Sequence, residues 1–213
     1  MMTAKSQLRR EELLAAASRV IGEQGLAGAS VRAVAQRAEV SAGSVLYHFE
    51  SFDQLVAEAV RGVLEEFSER RRRLIEGVRD PAERLRMLLD AGIPRRISDE
   101  LRVVYEVSSV IRDRPQFRAG LVQLTERQLA LYRTVIEVGI ALGSFAPRMS
   151  VDMIADNLVA LEDAYGLYML DPADNGRERY LRNAVGFAEI ALDCTLHDRA
   201  ADTSSALDTK ELA

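Results

Sequence analysis

Cysteine is almost missing from this chain: among 213 residues Cys194 stands alone, so no intramolecular disulfide can form, and a reducing cytoplasm is the expected compartment. Histidine is nearly as scarce. With only His48 and His197, neither a histidine-based catalytic triad nor a two-histidine metal site can be assembled within one chain. There is no glycine-rich loop to cradle a phosphate and no cysteine cluster, so no enzyme, cofactor or metal site is expected. No apolar run approaches the roughly 20 residues that span a bilayer. The segment MMTAKSQLRREE lacks the apolar core of a signal peptide. Strand-like alternation and internal repeats are missing too, which leaves an all-α chain.

What the chain does have is enough apolar material for a core, at 48% hydrophobic residues, and a net charge of −5. An acidic total argues against nucleic acid, because attraction to phosphate supplies most non-specific affinity. The local balance differs. The first fifty residues hold Lys5, Arg9, Arg10, Arg19, Arg32 and Arg37 against five glutamates, a small positive excess that would need two copies for useful DNA affinity.

The stretch from Ser30 to Phe49, SVRAVAQRAEVSAGSVLYHF, reads as two short helices joined by a tight turn. Ser30 precedes Val31, Val34, Ala35 and Ala38, an i, i+3, i+4, i+7 stripe, and its hydroxyl suits an N-cap. Val40 suits the corner between the helices. Ser41 caps a second helix over Ala42 to Tyr47, and Ala42, Gly43 and Ser44 let that backbone approach a groove closely. Val45 and Phe49 point inward, leaving Tyr47 and His48 for phosphates or bases. Ser30, Arg32, Ser41, Ala42, Gly43, Ser44, Tyr47 and His48 are the expected DNA-facing set. From periodicity alone, such a helix pair also fits helical proteins that never touch DNA.

From Val31 to Leu55 the residues follow an ordered pattern, Val-Arg, Val-Ala, Ala38, Val40-Ser41, Gly43, His48-Phe49, Ser51 and Leu55, that resembles the TetR family of bacterial one-component transcription regulators. The resemblance extends upstream through Leu13, Leu14, Ala17, Val20, Ile21 and Gly25, which match the family's first helix and its glycine end. Two departures stand out. Phe52 occupies a place where the family usually has Lys, removing a phosphate contact, and Leu46 stands where many members carry Tyr, with Tyr47 one place later.

Beyond Ser51 the pattern stays helical. Ser51 and Gln54 make a capping box for a long helix to about Glu76, with Leu55, Val56, Ala59, Val60, Val63, Leu64 and Phe67 as its buried stripe. Asp80-Pro81 opens the next helix and Gly92-Ile93-Pro94 closes it. Helices follow over Asp99 to Asp113, Pro115 to Leu142, Val151 to Leu170 and Gly176 to His197. Residues 1–52 are therefore expected to be a three-helix DNA-binding head. The long helix joins it to a larger helical ligand-binding and dimerisation body over 53–199, and 200–213 form a polar, unstructured tail.

The last two helices carry broad apolar faces, which predicts half of an intermolecular four-helix bundle with Leu161, Tyr168, Ala184 and Ala188 at the dimer interface; the alternative is that both stripes are internal core. In the resembled family this helix pair forms the dimer contact. Polar groups embedded in apolar helices, Tyr105, Glu106, Tyr132, Glu162, Asp163 and Tyr165, mark a ligand pocket with a preference for a cationic or amphipathic molecule. These acids could instead face water or pair with Arg102, Arg112 or Arg133. Met87, Phe117, Met149 and Met153 fit either an adaptable apolar lining or plain core. The reading is a homodimeric, ligand-released repressor of a palindromic double-stranded operator. A TetR-like activator and a helical protein-interaction module are the alternatives.

Overall fold

The computed structural model describes residues 4–196, so His197 and the tail over 200–213 lie outside the described residues. Nine α-helices and a single 3-10 turn make up the regular structure within that range. They are α1 Ala4–Gly28, α2 Val31–Arg37, α3 Ala42–His48, α4 Phe52–Leu74, α5 Pro81–Gly92, α6 Asp99–Ser109, α7 Arg118–Ala141, α8 Val151–Tyr168 and α9 Arg177–Leu192, with the 3-10 turn at Pro115–Phe117. The all-α expectation holds. Several helices stop short of the ranges read from periodicity: α6 ends at Ser109, and α9 ends at Leu192, where Asp193 enters the left-handed region at φ 49°.

Packing separates two compact units. One comprises 4–73, 95–128 and 167–174; the other comprises 74–94, 129–166 and 175–196. The head helices thus share a unit with α4 and α6. Leu13, Ala17, Val20, Val34, Val45, Phe49, Leu55 and Ala59 form one core there, and Ile21, Val56, Val60, Val63, Val103, Val107 and Phe117 belong to a second. Phe52 packs against both cores. That explains the missing lysine: an aromatic ring that ties two apolar clusters together replaces a solvated cation at the start of α4.

The second unit buries Leu85, Leu88 and Leu89 of α5, Tyr132, Val135 and Ile136 of α7, Ile154 and Leu158 of α8, and Tyr180, Leu181, Ala184 and Ala188 of α9. Arg177 at the start of α9 anchors α5: its guanidinium donates to the Ile93 carbonyl at 3.1 Å and pairs with Asp90 and Glu178. Those partners raise its pKa against the opposing effect of burial. Burial pushes the Cys194 thiol up to about 11, so the thiol stays protonated and unreactive.

Candidate nucleic-acid interface

Each cap expected from sequence forms. Ser30 Oγ accepts from Ala33 N at 3.2 Å and Ser41 Oγ accepts from Ser44 N at 3.1 Å, so both short helices begin where a hydroxyl satisfies a free N–H. Ser51 Oγ accepts from Gln54 N, while the Gln54 side chain accepts from Glu50 N at 2.7 Å, one residue before the cap itself. Between α2 and α3, Val40 N reaches the Ala35 carbonyl at 2.9 Å and Glu39 sits at φ 54°. A left-handed residue with a side chain costs roughly 1–2 kcal/mol. Replacing it with glycine relieves that strain but adds backbone freedom to the unfolded chain. Glu39→Gly should therefore stabilise the fold by about 0.5–1 kcal/mol, read as a higher urea midpoint with an unchanged slope.

Val45 and Phe49 hold α3 to the core, and Arg10 lies 4.8 Å over the Phe49 ring while also pairing with Glu58. The Gln54 amide donates to that same Glu58 at 3.1 Å. These contacts fix the orientation of α3 from three helices, which is what a side chain aimed into a groove requires. Outward, Tyr47 is 83% exposed and Leu46 is 52% exposed, with Ala42 and Gly43 exposed beside them. His48 is half-buried and meets the Tyr47 ring edge-on at 5.2 Å. Ser30 and Ser41 use their oxygens as cap acceptors, yet each hydroxyl hydrogen remains available as a donor. Ser44 is half-buried, and Arg32 is exposed.

The charge count of the head shrinks once pairs are drawn. Arg9 pairs with Glu12, Arg10 with Glu58 and Arg37 with Glu23. Lys5, Arg19 and Arg32 keep no ion pair among the described residues. The basic run near the end of α4 is spoken for as well: Arg70 pairs with Glu100 at 3.3 Å, Arg72 with Glu69 at 2.9 Å and Arg73 with Glu66. Arg71, alone of the four, is buried. A hydrogen bond from Ser98 above all, with Arg70 adding to it, holds the Glu100 carboxyl below its ordinary range.

The six polar residues singled out in the body fall into separate groups. Tyr105 and Glu106, on α6 in the first unit, line a cleft of about 450 Å³ together with Glu23, Gly25, Arg102 and Leu170. Here α1 breaks: Gly25 adopts φ 71° and ψ 172°, and the Glu106 carboxylate accepts from Leu26 N at 3.4 Å. A Cβ at position 25 would stand 3.1 Å from Glu106 Oε2, so both the dihedral and the close approach call for glycine. In the second unit the Tyr132 hydroxyl donates to the buried Glu162 carboxylate. Asp163 is exposed. Tyr165 stacks on Tyr180 at 4.5 Å and accepts from the Asn183 amide at 3.3 Å.

The dimer assignments also need correction. Ala184 and Ala188 are fully buried within the chain's own second unit and cannot face a partner. The outward surface of α9 instead carries Ile190, and Gly186 there has open space beside it. On α8 the exposed residues include Met153, Asn157 and Ala160, Leu161 is half-buried, and Tyr168 is exposed at the helix end in the first unit.

A capped helix pair with a fixed, outward-facing second helix, ahead of a helical body, is a helix-turn-helix arrangement of the kind that DNA-reading heads use. The comparisons carry this further. The family described as bacterial regulatory proteins, tetR family, matches residues 13–59. The transcriptional repressor KstR2 of Mycobacterium tuberculosis is 31% identical over 147 residues, covering 68% of this chain and 74% of that one. The regulator BetI of Burkholderia cenocepacia is 38% identical over 87 residues, 40% of this chain and 45% of its own. A transcriptional regulator from Saccharomonospora viridis, solved with choline, superposes with a TM-score of 0.78 at 23% identity over 87% of this chain and 98% of that one. The chain belongs to the TetR family of transcription regulators. It is a DNA-binding transcription regulator rather than an enzyme.

Proposed function

We propose that this regulator is a homodimeric repressor that holds a two-fold operator through α3 of each subunit and releases it when a cationic or amphipathic organic effector binds. The observation that carries the reading is the recognition helix, capped by Ser41, pinned by Val45 and Phe49, and presenting Tyr47 almost fully to solvent. Two-fold half-sites lie roughly 34–36 Å apart on one face of the duplex. Three unpaired cations per head favour a dimer, because one half-site offers too few phosphate contacts at physiological salt. Repression is the role named for KstR2.

The purified protein should shift DNA from the promoter adjoining its own gene, and failure to shift it in a sequence-specific way would favour a protein-interaction module. Tyr47→Ala should weaken that binding by about 1.5–3 kcal/mol per subunit, the value of one hydrogen bond to a charged phosphate. Its melting temperature should not move, since Tyr47 supports no core contact.

For the effector, the cleft between α1 and α6 supports a cationic preference. Glu106 and Tyr105 lie on its wall with Arg102 and with Glu23, which pairs with Arg37, and a carboxylate near an aromatic ring suits an organic cation. The choline in the Saccharomonospora viridis structure is a ligand of that chemistry. An occupant drawing on Glu106 would compete with its hydrogen bond to Leu26 N, and so act on α1 of the DNA-reading unit. Release requires that the effector prefer the DNA-incompetent state. Glu162, Asp163, Tyr132 and Tyr165 are the candidates within the second unit. Matched cationic, neutral and anionic compounds should separate in a thermal-shift screen, with the cationic set raising the melting temperature and releasing DNA. A response to only the neutral or anionic sets would refute the charge preference.

A further inference from the structure

Helix α3 reads AGSVLYH, and none of its seven residues carries a guanidinium, ammonium, amide or carboxylate group. Those groups make the discriminating contacts of the major groove, Arg or Lys on guanine O6 and N7, Asn or Gln on adenine N6 and N7, Asp or Glu on cytosine N4, whereas a serine hydroxyl bonds to either kind of edge. Three other polar side chains remain on the helix, Ser44, Tyr47 and His48. Ser44 and His48 are half-buried, and His48 lies against the Tyr47 ring. What α3 holds out is Leu46, 52% exposed, with Ala42 four residues earlier on the same face and Tyr47 beside it.

Only one feature of the base edges in that groove is apolar, the C5 methyl of thymine. A leucine pressed against any other edge would strip water from an exocyclic amino or carbonyl group and return no hydrogen bond. We propose that this regulator reads its operator through thymine methyl groups, with Leu46 as the specificity-determining side chain and Ala42 as its smaller companion. The proposal rests on α3 being the groove-reading helix. Positioning is then left to Tyr47 and to Arg32, which lies on the preceding helix that crosses the phosphate backbone.

The test selects operator sequences from a randomised duplex pool with the wild-type protein, then replaces each selected thymine in the half-sites by deoxyuridine, which removes one methyl and nothing else. Selection should return thymine at the position facing Leu46 in both half-sites. Deoxyuridine there should weaken binding about fourfold per half-site, the worth of one buried methyl, and about sixteenfold when both are replaced. Leu46→Ala should bind the thymine and deoxyuridine duplexes equally while keeping its helical content, because the side chain takes no part in the core. Selection of G·C pairs at the positions read by α3, or wild-type binding indifferent to every deoxyuridine, would overturn the methyl readout and leave the operator reading standing. Recovery of no preferred sequence at all would overturn both.

Discussion

Gly92→Ala should destabilise the protein by about 2–3 kcal/mol, although in most helices the same change is favourable. Alanine gains at most roughly 1 kcal/mol over glycine, the helix-interior value, and Gly92 is the last residue of α5. Here, however, a Cβ on α5 would overlap the Oε1 and Cδ atoms of Glu162 and stand 2.6 Å from its Cγ. Glu162 cannot swing into solvent, since it is 2% exposed and its carboxylate accepts a hydrogen bond from Tyr132. Overpacking costs about 1–3 kcal/mol. Losing the hydrogen bond from Tyr132 to the carboxylate adds about 1.5–3 kcal/mol. The two losses outweigh the gain in propensity, and the melting temperature should fall by roughly 4–12 °C. Combining Gly92→Ala with Glu162→Ala should cost less than the two changes summed, because the shortened side chain vacates the space that the new methyl needs. A stabilised single variant would mean that Glu162 does not lie against Gly92.

Local signals in the sequence were reliable, and they account for the DNA-reading end. Ser30, Ser41, Ser51 with Gln54, and Asp80 with Pro81 each mark a helix start, because a cap involves only residues two to four positions apart. Contacts across long separations left no comparable trace. Nothing near Glu106 announces that its carboxylate accepts from Leu26, 80 positions away, and nothing near Glu162 announces Tyr132. Arg72 and Arg73 meet the nearby Glu69 and Glu66, but the partner of Arg70 is Glu100, 30 positions on, and nothing near Arg70 announces it. The faces of α8 and α9 were ambiguous for another reason. Both helices carry apolar residues over more than one side, so periodicity cannot say which side the chain keeps for itself. Packing resolves it through size: Ala184 and Ala188 are small and lie fully buried, whereas the larger Ile190 is left outside.

That assignment sets the largest expected functional effect. In the proposed homodimer, Ile190→Glu should separate the subunits and lower operator affinity by about two to four powers of ten, the range over which linking two binding events raises avidity. Within the second unit, α8 and α9 are neighbours through the Tyr165–Tyr180 stack, and their outward surfaces offer Ile190, 74% exposed, with Gly186, Met153 and Ala160. Apolar and small residues on adjacent helices suit the close approach of a second helix pair, and a two-fold DNA site demands an interface that pairs with itself. A carboxylate at position 190 would lose its hydration in such an interface. The monomer should nonetheless remain folded, because Ile190 makes little contact within its own chain. Ala188→Glu should behave differently, destroying the second unit outright, since its side chain points into a core with no room for it. Sedimentation and gel shift on the two variants separate these outcomes: an Ile190→Glu protein that stays dimeric and binds operator at wild-type strength would place the subunit contact on another surface.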